Sequence, residues 1–155
     1  MTDFEFSTSK TLICGSGSSR RTAELCASLG ANNIMLVTDK GLLEAGIIDP
    51  VVASLEASGI NVTLYSEVIA DPPEDVVESA AQVAQSKAID GVIGLGGGSS
   101  MDVAKLIAVL STGKTKLADC YGIDQIQVNR VPLILIPTTA GTGSEVTPIS
   151  IVTTG

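Results

Sequence analysis

Not one histidine occurs among the 155 residues. Ser-His and Cys-His catalytic pairs are therefore excluded, and a transition-metal site would have to be built from carboxylates alone. Cysteine is scarce as well. Cys14, Cys26 and Cys120 are odd in number and far apart, so they offer neither paired metal-ligand spacing nor a disulfide framework. Each sits in an apolar neighbourhood, and the expectation is three reduced, buried thiols. Basic residues are few: nine Lys and Arg against 17 Asp and Glu leave a net charge of −8, which repels phosphate backbones and argues against a nucleic-acid partner. Any bound phosphate must then be held locally, by backbone amides. Asp, Gly, Lys or Pro interrupts every hydrophobic stretch before it reaches the roughly 20 residues of a membrane span. Met1-Thr2-Asp3-Phe4-Glu5-Phe6 carries acids and lacks the basic head and apolar stretch of a secretory leader. A soluble, cytoplasmic protein with no membrane partner is expected.

What the chain does have is apolar residues, 45% of the total against 17% charged, with a mean hydropathy of +0.41. One domain over residues 1–155 is the natural organisation for this length. The core is deeply buried or part of the surface is covered, and self-association into a homo-oligomer is expected. Five short apolar runs read as strands buried on both faces: Thr11 to Cys14, Ile34 to Val37, Val62 to Tyr65, Val92 to Leu95 and Leu133 to Ile136. Between them lie helical segments, Arg20 to Leu29 stopped by Gly30, Asp49 to Ser58 stopped by Gly59, and Pro73 to Lys87 with Val76, Ala80, Val83 and Ala84 on one stripe. Strand and helix in repeated alternation specify an α/β class, a Rossmann-like, mainly parallel sheet with flanking helices. Ile149 to Val152 reads as one more strand, and the sequence stops soon after it, as if the domain were cut before its last elements.

Ligands in such folds bind at the carboxyl ends of the strands, and those places are rich in glycine, hydroxyls and acids. Gly96-Gly97-Gly98-Ser99-Ser100-Met101-Asp102 follows a buried strand and opens the helix Met101 to Leu110. Its glycines allow close backbone approach, and the free amides and dipole of the helix suit a pyrophosphate; Ser99 or Ser100 as a simple N-cap is the alternative. Gly15-Ser16-Gly17-Ser18-Ser19-Arg20 is a weaker match to G-x-G-x-x-G, because Arg20 obstructs the close helix approach of the third glycine. That loop lies near an adenine end or is structural. Asp39 ends a strand at roughly the 20-residue spacing where an acid receives ribose hydroxyls, and equally it suits the N-cap of a segment starting at Gly41. Pro137-Thr138-Thr139-Ala140-Gly141-Thr142, continuing through Glu145 to Thr147, reads as a polar binding loop. Asp102 sits in the first turn beside the phosphate and is read as pointing along the pocket to a carboxamide-like donor. Lys105 is read as half of a weak surface pair with Asp102.

Gly96-Gly97-Gly98-Ser99 with Asp102, Ala104 and Lys105, the run Pro137 to Thr142 with Glu145 and Thr147, and Val37-Thr38-Asp39 resemble the iron-containing, or group III, alcohol dehydrogenase family over essentially the whole chain. The resemblance implies a nucleotide-binding α/β domain followed in the family by a helical domain that holds the metal through one Asp and three His, all beyond residue 155. This chain would then carry no catalytic and no metal-binding residue, and Fe2+ or Zn2+ would belong to the full-length enzyme. By the same resemblance Gly97, Gly98 and Ser99 hold the pyrophosphate, Asp39 the adenosine ribose, and Thr138, Thr139, Thr142 and Thr147 line the remaining cofactor groove. The chain departs from the family at Asp71-Pro72, where many members carry Asn-Pro, so an acid replaces a neutral amide donor near the cofactor. Function is expected as the NAD-binding half of a metal-dependent dehydrogenase acting on a small alcohol or aldehyde, with NAD preferred to NADP because Asp39 opposes a 2′-phosphate. Glycerol dehydrogenase and dehydroquinate synthase relatives rank second, and a non-catalytic nucleotide-binding module or a stand-alone interaction domain are rivals of other classes.

Overall fold

The computed structural model describes residues 8–155, so the leader reading of Met1 to Phe6 lies outside the described residues. Four strands, β1 (Asn33–Val37), β2 (Asn61–Tyr65), β3 (Gly91–Gly96) and β4 (Leu133–Pro137), form one sheet in the order β2-β1-β3-β4. All three pairings are parallel, with Ile34 opposite Val62 and Val37 opposite Gly94. Among the described residues α1 (Thr22–Ser28) precedes β1, α2 (Lys40–Glu44) and α3 (Asp49–Ala57) lie between β1 and β2, α4 (Glu74–Ser86) between β2 and β3, and α5 (Gly98–Leu110) between β3 and β4. The expected α/β architecture with flanking helices is the one observed.

Alternation along the strands divides the core in two, because successive side chains leave opposite faces. Met35, Val37 and Val92 join Val77, Ala80, Val103 and Ile107 of α4 and α5 on one side. Ile34, Leu36, Ile93 and Leu95 join Ala23, Cys26, Val51 and Leu55 of α1 and α3 on the other. β1 and β3 are buried on both faces as their composition predicts, whereas β2 and β4 are the sheet edges and stay partly exposed. Glycine matters at Gly94, where a Cβ would fall 2.6 Å from Ala104 Cβ and 2.9 Å from Leu135 Cδ2. Its absence lets α5 lie directly on β3. At the amino ends of the strands, the Asp90 carboxylate accepts the Asn32 and Asn33 amides and fixes β1 against β3.

Gly30 and Gly59 stop α1 and α3 at φ +74, with Ala31 and Ile60 amides bonding back to Cys26 and Leu55 carbonyls. Both glycine stops are as the sequence predicts. α4 buries Val77, Ala80, Ala81 and Ala84, so Ala80 and Ala84 lie on the expected stripe while Val76 and Val83 are only partly buried, and it ends on a non-glycine, Ala88, at φ +49. The expected helix Arg20 to Leu29 is split, with a 3-10 turn at Ser18–Arg21 before α1.

Two expected strands do not form. Thr11 to Cys14 pairs with neither sheet edge, and Leu12 is 71% exposed. An apolar run becomes a strand only when a neighbour takes its backbone groups. Cys14 is accordingly exposed and Cys120 half-buried; all three cysteines are free, but only Cys26 is buried as expected. Ile149 to Val152 is held instead by side chains of α5, since Asp102 Oδ2 accepts the Ile151 amide and Lys105 donates to the Ile149 carbonyl. Thr153 then makes a single parallel bridge to Pro73. Among the described residues no helix is long and apolar enough to cross a membrane.

Candidate functional site: a cleft at the strand ends

With β1 flanked by β2 and β3, the chain reverses direction across the sheet between β1 and β3, and a crevice opens outside their carboxyl ends. A cleft of about 480 Å3 lies there. Asp39, Lys40 and Gly41 form one wall, Ser66 to Ala70 another, and Gly97 to Ser100 the third. Asp39, Gly97, Gly98 and Ser99 are thus brought together as the sequence predicts.

The glycine wall is the start of α5, which begins at Gly98, three residues earlier than expected. Gly97 is the N-cap and no side chain caps it, so neither Ser99 nor Ser100 plays the alternative capping role. The amides of the first helical turn have no intrahelical acceptor, and they open on the cleft with the positive end of the helix dipole behind them. Gly96 bends the chain into this helix at φ +155, and a Cβ there would meet Ser100 Oγ at 2.6 Å. Gly97 and Gly98 are different: a Cβ would lie 3.7 Å from Thr139 Oγ1 and 3.5 Å from Thr142 Cγ2, ordinary contacts that packing alone tolerates. Thr139 and Thr142 therefore stand across from the glycine wall, and the Thr138 amide bonds to the Gly96 carbonyl at 2.9 Å.

Asp39 does two things at once. Its Oδ1 accepts the Leu42 amide at 3.0 Å as the N-cap of α2, and the residue faces the cleft. The preceding Thr38 is fully buried, and its hydroxyl has no partner among the described residues. Next to Asp39, Lys40 Nζ meets Glu67 Oε2 of the other wall at 2.7 Å, and the Glu67 carboxylate raises the lysine pKa above its ordinary value. Lys40, Glu67 and the Ser66 to Ala70 wall were not among the residues singled out from the sequence. Nothing local marks them, because β2 delivers the Ser66 segment to the cleft from a distant part of the chain.

Asp102 lies in the second turn of α5, not the first, because the glycine-serine run itself is helical. It does not line the cleft. Its Oδ1 accepts from Lys105 Nζ at 2.9 Å and Ser144 Oγ at 2.5 Å, and its Oδ2 accepts the Ile151 amide at 3.0 Å. The Asp102 and Lys105 side chains are 10% and 9% exposed, so the expected weak surface pair is in fact buried. α5 lies between β3 and β4 on one side and α4 and the Ser144–Val146 turn on the other, which is why both faces of this helix are covered. Asp71 sits next to the cleft wall at φ +49, exposed, with its carbonyl bonded to Thr153 Oγ1. Thr147 is exposed just past a 3-10 turn at Ser144–Val146 and lines no part of the cleft. Gly15 to Arg20 is also away from the cleft, where the Arg20 carbonyl accepts Ser54 Oγ of α3.

The residues fit a dinucleotide: an uncapped helix N-terminus, an acid across from it, and hydroxyls opposite the glycines. They do not fit a transition metal. The sequence has no His, and no three His, Cys, Asp or Glu residues gather among the described residues.

Known proteins resemble this chain in sequence and in fold. The choline dehydrogenase of Bacillus subtilis (strain 168) is 42% identical over 142 residues, which is 90% of this chain and 35% of that protein. In a crystal structure of 1,3-propanediol oxidoreductase the fold is reproduced with a TM-score of 0.93 at 30% identity, over 99% of this chain and 40% of that one. A sulfoacetaldehyde reductase from Bifidobacterium kashiwanohense, solved in complex with NAD+, matches with a TM-score of 0.89 at 26% identity, over 99% of this chain and 41% of that one. This chain thus spans between a third and about two fifths of the length of these relatives. The family model for iron-containing alcohol dehydrogenase matches residues 9–155, and the chain belongs to the iron-containing alcohol dehydrogenase family.

Proposed function

We propose that this chain is the NAD-binding part of a metal-dependent dehydrogenase that moves hydride between nicotinamide and a small alcohol or aldehyde. The observation that carries the reading is the uncapped start of α5, opening on a cleft whose opposite wall presents Asp39. NAD, when bound, supplies the hydride acceptor. The amides of Gly97, Gly98 and Ser99, entered through Gly96, hold the pyrophosphate; Asp39 accepts the adenosine ribose hydroxyls, and Thr138, Thr139, Thr142 and Asp71 border the remaining groove. Asp102 supports the groove from below, by holding the Ser144 turn and the Ile149 to Ile151 segment against α5. Asp39 favours NAD over NADP. The Fe2+ or Zn2+ of the reaction is held by residues other than these. The same reading takes small molecules as substrates and places the protein in the cytoplasm as a homo-oligomer, and its net charge of −8 argues against a nucleic-acid partner.

The test is a calorimetric titration of the chain with NADH, beside a Gly98→Val variant. The reading expects saturable binding that Gly98→Val weakens at least tenfold, since a β-branched side chain has only the 3.5 Å gap to Thr142 to occupy and covers the helix amides. It also expects no metal-dependent alcohol oxidation by the 155-residue chain alone. Absence of NADH binding, or turnover by the homogeneous chain with added metal, would overturn it.

A further inference from the structure

Three charged side chains line the cleft, and their arrangement is uneven: two acids, Asp39 and Glu67, and one base, Lys40. An isolated antiparallel bridge sets the backbones of Asp39 and Glu67 opposite each other, so the two carboxylates flank the same end of the cleft. Lys40 follows Asp39 directly, and its ammonium reaches across to Glu67 Oε2 at 2.7 Å. A base beside the ribose-binding acid is the kind of group that accommodates a 2′-phosphate in nucleotide folds. Here that base already has a partner.

Building on the NAD reading above, we propose that Glu67 is a cofactor-specificity residue, which holds Lys40 away from a ligand's 2′-phosphate and leaves the charge of Asp39 unopposed. Lys40 is the one cation lining the cleft among the described residues. With Glu67 in place, the rim carries one negative charge in excess, and NADP meets that charge at the 2′ oxygen. Without the Glu67 carboxylate, the rim is neutral and the lysine is free to turn toward the phosphate. Both side chains are more than half exposed, so the effect is modest and sensitive to salt.

The experiment is titration of the 155-residue chain with NADH and with NADPH at about 0.01 M and about 1 M salt. It compares the unmodified chain with Glu67→Gln, Lys40→Met and the double variant. Glu67→Gln is expected to strengthen NADPH binding about three- to tenfold at low salt, to leave NADH within about twofold, and to lose the gain at high salt. The gain is expected to vanish in the double variant. Unchanged NADPH affinity in Glu67→Gln, with NADH still bound, would overturn this proposal alone. The same gain in the double variant would also overturn it, because Glu67 would then act by its own charge and not through Lys40. Failure of the unmodified chain to bind NADH would overturn the NAD reading and this proposal together.

Discussion

Lys105 and Asp102, one turn apart on α5, form a buried ion pair whose two ends also hold the segment after the threonine loop: the Asp102 carboxylate takes the Ile151 amide, and the Lys105 ammonium takes the Ile149 carbonyl. Removing one partner of a buried pair leaves the other charge without compensation, which costs about 3 to 5 kcal/mol. Lys105→Met is expected to destabilise the chain by that amount, and Asp102→Asn combined with Lys105→Met by clearly less than the two single changes added. Urea unfolding of the four proteins measures the difference. Strict additivity would show that the two groups do not depend on each other.

Asp39 is both helix cap and cleft wall, and two substitutions separate the roles. Asp39→Asn keeps a side-chain acceptor for the Leu42 amide but removes the charge, so it should narrow the NADH-over-NADPH preference with little change in stability. Asp39→Gly should narrow the preference equally and cost only a few tenths of a kcal/mol of stability. The charge is expected to account for about 1 to 3 kcal/mol of discrimination, ten- to a hundredfold in affinity. Paired titrations and thermal melts read the two effects separately; a preference untouched by either variant would leave Asp39 as a cap only.

The three thiols should react in order of exposure. Cys14 is exposed, Cys120 is half-buried with a pKa raised by burial, and burial pushes the Cys26 thiol up to about 11. Alkylation near pH 8, followed by mass spectrometry, is expected to label Cys14 first and Cys26 last. Because the folded-state pKa of Cys26 lies above its unfolded value, its contribution to stability is full below about pH 9 and is lost as pH rises through about 11. Cys26→Ala should flatten that part of the alkaline stability profile.

Ala88 ends α4 in the left-handed region that glycine occupies after α1 and α3. An alanine there carries steric strain of about 1 kcal/mol, partly offset by the extra freedom that glycine gives the unfolded chain. Ala88→Gly is expected to raise stability by about 0.5 kcal/mol, or one to two degrees in Tm. A lower Tm would mean that the strain is smaller than the entropy difference.

The central strands and the glycine wall were legible in the sequence because their signals are local: unbroken apolar runs at Ile34 to Val37 and Val92 to Leu95, then three glycines leading into a helix. Thr11 to Cys14 carries the same kind of signal and makes no strand, since pairing depends on a neighbour that the run does not encode. In the sequence Lys105 has the look of a surface residue, because Asp and Lys three apart on a helix look alike whether solvent or protein surrounds them; only the position of α5 against β3 and β4 decides it. Lys40 and Glu67 are joined through the parallel pairing of β1 and β2, a non-local relation with no motif. Asp39 suits either a helix cap or a cleft acid in the sequence, and in the fold it caps α2 while lining the cleft.

From Ser100 to Leu110 every residue of α5 is buried, while Thr138 to Thr142 on the facing loop are exposed. The two jaws of the cleft therefore differ in stiffness. Displacing the helix side would disturb the cluster that α5 shares with α4 and the sheet, whereas the loop side is fastened near the cleft by the Thr138 amide bond and, further along, by the Ser144 hydroxyl. Adjustment to a ligand's shape falls to the threonine jaw, and amide exchange should slow there on binding while α5, already slow, stays as it was.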